Sequence, residues 1–260
     1  MKSVLLAMLV ATASTPALAV SPFDGTWKID VGTAQPPDKP NDFLLQDGSY
    51  SCHSCAAPFT VPADGAPHAI SGDPYVDSVA IKVVDAHTIV ETEAKAGKTQ
   101  WVYTMRVSAD GQSMTTEMID TSAGNGVPAR GTFHQTRTKD APPSAHLVSG
   151  MWRTTKYEGF SDSAIVFTLK TDGDSFSFSQ PTGQFWTATL GGPAVPYKGD
   201  PGITTVSAER SGADTIVETD MRDGKVVSIN MMTTRDGKTM SLTFVDKLRG
   251  SEQNFTATRQ

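Results

Sequence analysis

Four landmarks of this chain occur twice at almost the same separation. Gly72-Asp73-Pro74 and Thr88-Ile89-Val90-Glu91-Thr92 return as Gly199-Asp200-Pro201 and Thr215-Ile216-Val217-Glu218-Thr219, each 127 residues on. Gly25-Thr26-Trp27 has a counterpart in Gly150-Met151-Trp152 after 125 residues. Asp110-Gly111 with Ser113-Met114 has one in Asp236-Gly237 with Thr239-Met240 after 126. Chance does not hold four motifs in one register over such a span, so the chain reads as two copies of one module. A unit of this length is a whole small domain rather than one turn of a solenoid.

The first residues read as a removable address. Lys2 supplies a positive start, residues 4–11 form a short apolar run, and Ala17-Leu18-Ala19 is a small-residue cleavage site. The run is too short to span a bilayer. The expected organisation is a signal peptide over 1–19, a first barrel over 20–137, a proline-containing linker over 138–146 and a second barrel over 147–260. The expected location is periplasmic or secreted, with no membrane span. With 22 basic and 28 acidic residues the net charge is −6, and no basic block is present. That balance excludes the electrostatic footprint of a nucleic-acid or anionic-lipid binder.

Strand signals dominate the rest. In the first copy, residues 79–84, 88–93, 99–108 and 113–120 are β-branched or alternating; the second copy repeats the scheme over 204–210, 215–221, 226–234 and 239–247. Turn residues separate them, and Asp-Gly between alternating runs is a strong hairpin cue. No stretch of ten or more residues keeps a helical period. The expectation is an all-β chain with about seven or eight short strands per copy, in an antiparallel meander that closes on itself because an open edge invites aggregation. Two tandem antiparallel barrels follow. The Trp of each Gly-x-Trp suits the plug of a barrel end, and Pro142-Pro143 makes the linker extended.

These residues resemble a family. Gly25-Thr26-Trp27-Lys28 looks like the opening of lipocalins and related small barrels. The wider pattern is similar to that of exported bacterial proteins with lipocalin-like (calycin-type) β-barrels. It runs through Gly72 to Pro74, Asp77 to Lys82, Thr88 to Glu91 and Ser108 to Thr115. The second copy matches at Gly199 to Pro201, Thr215 to Glu218 and Asp236 to Met240, but opens with Gly150-Met151-Trp152-Arg153. The resemblance implies a lipocalin-like fold and a cavity for small apolar molecules, with no particular substrate. Most of these motifs are strand ends and turns, which specify a fold better than a function.

Cys52 and Cys55, the only cysteines, lie in the first copy alone. Three readings stand: a local disulfide, as an oxidising compartment favours; a redox-active thiol, which needs a lowered pKa; or two ligands of a metal site with His68 as a third. Ala56 after Cys55 excludes a Cys-x-x-Cys-His haem attachment. The five histidines are scattered, and neither a Gly-x-Ser-x-Gly nucleophile elbow nor a phosphate loop occurs. Glu91 and Glu218 fall at matching strand positions, where a solvent-facing charge is the default and a carboxylate lining two equivalent cavities is the alternative. Candidate ligand-binding residues are Trp27, Trp101, Tyr103, Trp152 and Trp186. Trp101 and Tyr103 share one strand face. The functional expectation is an exported, non-catalytic binding protein for a small, largely apolar ligand, with no cofactor and no assigned protein partner. The alternatives are an envelope interaction protein with filled barrels, using a mobile stretch over 31–43, and a metal or redox role at the cysteine pair.

Overall fold

The computed structural model describes residues 21–260, so the signal peptide expected over 1–19 lies outside the described residues. The first half supplies β1 (Gly25–Gln35), β2 (Asn41–Gln46), β3 (Ser49–Cys52), β4 (Phe59–Pro62), β5 (Asp64–Ala69), β6 (Ser78–Asp85), β7 (Thr88–Lys95), β8 (Lys98–Val107), β9 (Ser113–Asp120) and β10 (Ala129–Lys139). The second half supplies β11 (Gly150–Glu158), the short helix α1 (Asp162–Ile165), β12 (Val166–Asp172), β13 (Ser175–Ser179), β14 (Phe185–Thr189), β15 (Val195–Pro196), β16 (Thr205–Arg210), β17 (Thr215–Arg222), β18 (Lys225–Thr233), β19 (Thr239–Asp246) and β20 (Ser251–Arg259).

Local chemistry explains the hairpins. Asp47-Gly48, Ala96-Gly97 and Asp223-Gly224 each hold both residues at positive φ. That conformation sets the twist of a two-residue hairpin turn, and glycine takes its second position without steric cost. Along β17 the burial alternates, with Ile216, Glu218 and Asp220 inward, as a half-buried strand requires.

The strands form two 10-stranded antiparallel sheets, each nearly closed into a barrel. The expectation of seven or eight strands per copy is too low. The extra strands include β3, β4 and β5, which are short and rich in Ser, Pro and small residues, so they carry little strand signal. One sheet runs β4-β3-β2-β11-β10-β9-β8-β7-β6-β5; the other runs β14-β13-β12-β1-β20-β19-β18-β17-β16-β15. The first strand of each half therefore sits in the barrel built from the other half. β1 pairs with β12 and β20, and β11 pairs with β2 and β10. We call the sheet holding β2–β10 the first barrel and the other the second.

This exchange changes the meaning of two segments. Residues 138–146, expected to tether two barrels, instead join adjacent strands of one sheet: Thr138 and Lys139 belong to β10, and the loop leads into β11. The crossings between barrels are residues 36–40 and 159–165. Pro36, Pro37 and Pro40 stiffen the first crossing, which favours passage to the neighbouring sheet over folding back. The stretch 31–43, expected to be mobile, is strand β1 to Gln35, that short crossing, and then β2.

Each barrel has its own core. Trp27, carried by β1, is fully buried in the second barrel among Phe167, Leu169, Phe176, Trp186 and Met240. Trp152, carried by β11, is fully buried in the first among Phe43, Tyr50, Ile81, Ile89 and Met114. Both indoles donate to a backbone carbonyl four residues back, Phe23 O and Val148 O, each at 2.8 Å. These bonds satisfy the polar edge of a buried ring.

A hollow in the first barrel

The two sheets correspond strand by strand, so their interiors can be compared residue by residue through the pairing register. Trp152 faces Asn41, while Trp27 faces Phe167. Tyr50 faces Val61 and Cys52 faces Phe59, while Phe176 faces Ala188 and Phe178 faces Trp186. Phe133 faces Thr116, while Phe255 faces Leu242; Gln135 faces Thr154, while Ala257 faces Ile29. Thus Asn41, Cys52, Thr116 and Thr154 of the first barrel stand where the second has Phe167, Phe178, Leu242 and Ile29.

The consequence is space. All four smaller or more polar residues line a hollow of about 270 Å³ in the first barrel. In the second barrel Phe178 stacks on Phe167 and Trp186, with ring centroids 6.1 and 6.0 Å apart. Phe43, Met105 and Phe133 give the hollow apolar wall; Thr116 and Gln135, hydrogen-bonded at 2.8 Å, give it a polar one. A second space of about 240 Å³ lies beside it, sharing Glu93, Tyr103, Phe244, Asp246 and Arg249.

The wall of the hollow is shared between barrels. The end of β19 and the β19–β20 turn of the second barrel bring Phe244, Asp246 and Arg249 to the hollow, and the crossing brings Pro37 and Lys39. Lys39 Nζ donates to the Arg249 carbonyl at 2.7 Å and fastens the turn there. Asp246 Oδ1 accepts from the amides of Leu248 and Arg249, which fixes the turn's shape.

Two carboxyl groups on β7 point inward. Glu91 is buried and accepts from the Tyr50 hydroxyl at 3.1 Å. Burial pushes its carboxyl up to about 7, against the opposing pull of Tyr50 and the Arg249 charge. Glu93, two residues on and on the same face, is pushed up to about 8 by burial and then by the Glu91 charge. Their counterparts Glu218 and Asp220 lie inside the second barrel, so the expectation that Glu91 and Glu218 face solvent is wrong for both. Trp186 Nε1 donates to Glu218 at 3.0 Å; Ser228 and Asn230 donate to Asp220 Oδ2 at 2.7 and 3.0 Å. Burial, then the Asp220 charge, raises the Glu218 carboxyl well above its usual range, and burial pushes Asp220 up to about 6.

The expected site residues divide. Tyr103 lines both spaces and Trp101 the smaller one, where Tyr75 meets its ring edge-on at 5.8 Å. Trp27, Trp152 and Trp186 are core, not wall. Cys52 and Cys55 form a disulfide and also line the hollow. The metal alternative is not assembled: the two sulfurs are bonded to each other, and His68 on β5 pairs with Asp64 at 2.9 Å. Sequence reasoning missed Glu93 and Arg249. Glu93 carried a signal in its spacing, two residues from the repeated Glu91, whereas Arg249 comes from a turn of the other half.

No helix among the described residues is long and apolar enough to cross a membrane. No protein-family model matches the chain, and no curated protein matches it.

Proposed function

We propose that this protein is an exported, non-catalytic binding module, in which the first barrel holds a small ligand and the second is a filled barrel that closes the first one's mouth. The observation behind this reading is the asymmetry between corresponding interiors. Aromatic and aliphatic side chains fill the second, while Asn41, Cys52, Thr116 and Thr154 leave a hollow in the first. Its volume of about 270 Å³ sits at the small end of ligand sites. The wall mixes Phe43, Met105 and Phe133 with Glu91, Glu93, Gln135 and Arg249. A ligand of mixed character suits it better than a wholly apolar one. The Ala17-Leu18-Ala19 site and the Cys52–Cys55 disulfide support export, since disulfides persist in oxidising compartments.

The test is binding of the uncharged dye N-phenyl-1-naphthylamine, followed by its fluorescence, in wild type and in Asn41→Phe/Thr154→Ile. Those substitutions install the second barrel's own residues. Saturable binding lost in the double variant supports the reading; equal binding by both proteins overturns it.

A further inference from the structure

Glu93 and Arg249 line the same hollow from different barrels and do not pair. Arg249 makes its ion pair with Asp246, Nη1 to Oδ2 at 3.5 Å, and no ion pair or hydrogen bond reaches the Glu93 carboxyl among the described residues. Glu93 is half-buried, and it borders both spaces. A carboxyl withdrawn even in part from water without a partner is costly, and folds ordinarily provide one. The second barrel does so in part: Asp220, the counterpart of Glu93, takes bonds from Ser228 and Asn230 on Oδ2, while its Oδ1 has no partner among the described residues. In the first barrel the residues at those two strand positions are Trp101 and Tyr103, which face Glu93 and Glu91 across the β7–β8 pair and donate to neither. Aromatic wall has replaced the donors, and the carboxyl is left facing a cavity.

The charges around that cavity select against simple ions. A ligand carrying only positive charge meets Arg249 and Lys39; one carrying only negative charge meets Asp246 and leaves Glu91 and Glu93 with no cation to favour their ionised forms. A molecule with both charges a few ångströms apart satisfies both sides at once. Resting on the reading of the first barrel as a binding site, we infer that its ligand is a small zwitterion of the α-amino acid class, its ammonium on Glu93, its carboxylate on Arg249 and its apolar side chain against Tyr103 and Phe133. The ammonium supplies the counter-charge that burial denies Glu93. The guanidinium, held among the described residues only by the long contact to Asp246, has further donors to offer a carboxylate.

The test is calorimetric titration with phenylalanine, phenylalanine amide and N-acetylphenylalanine, which carry both charges, only the positive and only the negative. Phenylalanine is expected to bind about tenfold or more tighter than either analogue, the worth of one charge-assisted hydrogen bond. Glu93→Gln should erase its margin over N-acetylphenylalanine, and Arg249→Gln its margin over the amide. Arg249→Gln should keep the wild-type thermal midpoint within a few degrees, since Lys39 holds the turn through the Arg249 carbonyl rather than its side chain, and Glu93→Gln should keep or raise it at neutral pH, since burial penalises the charged form of Glu93. Equal or tighter binding of either analogue, or binding of the dye but of none of the three, overturns the zwitterion and leaves the binding module standing. A protein that takes neither dye nor amino acid overturns both.

Discussion

Tyr75 packs on Gly202, its own counterpart 127 residues along the chain, so the two turns that follow the paired Gly-Asp-Pro motifs meet each other. A Cβ at Gly202 would overlap the Tyr75 ring. The glycine is there for close approach, since its φ lies outside the left-handed region. Contact between corresponding positions is what an approximate two-fold relation between the barrels produces. A further contact near this junction sets Gly124 of the β9–β10 loop against Gly199.

Gly202→Ala should therefore destabilise the protein by about 1–3 kcal/mol through overpacking. In the Tyr75→Ala background the same substitution should cost much less, because the clash has one partner. Urea midpoints of the two single variants and the double variant check it. Additive losses would place the strain elsewhere.

The strand exchange assigns each tryptophan to the opposite barrel. Trp27→Ala should cost about 3–5 kcal/mol, the usual range for removing a buried large aromatic. Amide protection should fall first over residues 166–259, even though Trp27 belongs to the first half. Trp152→Ala should do the reverse, loosening residues 41–139. Hydrogen exchange by mass spectrometry reads both, and loss of protection in each tryptophan's own half would contradict the exchange.

Stability should fall as pH rises from about 4.5 to about 8. Glu91 and Glu93 have folded-state pKa values of about 7 and 8 against an ordinary 4.5. Between those limits the folded state binds more protons than the unfolded one, so acid favours folding. Each group contributes a slope of up to about 1.4 kcal/mol per pH unit within its window. Denaturant midpoints at intervals from pH 5 to pH 9 measure it, and Glu91→Gln should flatten the fall.

Removing the disulfide should matter modestly. Cys52 and Cys55 close a loop of sequence separation 3, and so short a loop restricts the unfolded chain by about 2 kcal/mol. Cys52→Ser/Cys55→Ser should stay folded with a correspondingly lower denaturation midpoint, and unchanged stability would mean that the bond constrains little.

Much of the fold was legible in the sequence. Paired motifs gave two similar all-β units, and alternation with Asp-Gly turns located the long strands β6–β9 and β16–β19. The exchange of β1 and β11 was not legible, because a strand with the right face fits either sheet and Gly25-Thr26-Trp27 does not encode its partner. The inward Glu91 and Glu218 were misread because a charged residue on a strand is ordinarily solvated. Burial here depends on Tyr50 and Trp186, which approach from strands distant in sequence. The hollow was half legible: Trp101 and Tyr103 share the correct face, but the missing bulk at Asn41, Thr116 and Thr154 shows only once the register places them beside Phe167, Leu242 and Ile29.

The central claim, that the first barrel holds a small molecule, is tested most directly by native mass spectrometry. Wild type and Asn41→Phe/Thr154→Ile would be purified side by side from the compartment to which the cell delivers them. The expected result is a small-molecule adduct on the wild type that is absent from the folded double variant. An adduct that survives both substitutions, or a wild-type protein that carries none, would contradict it.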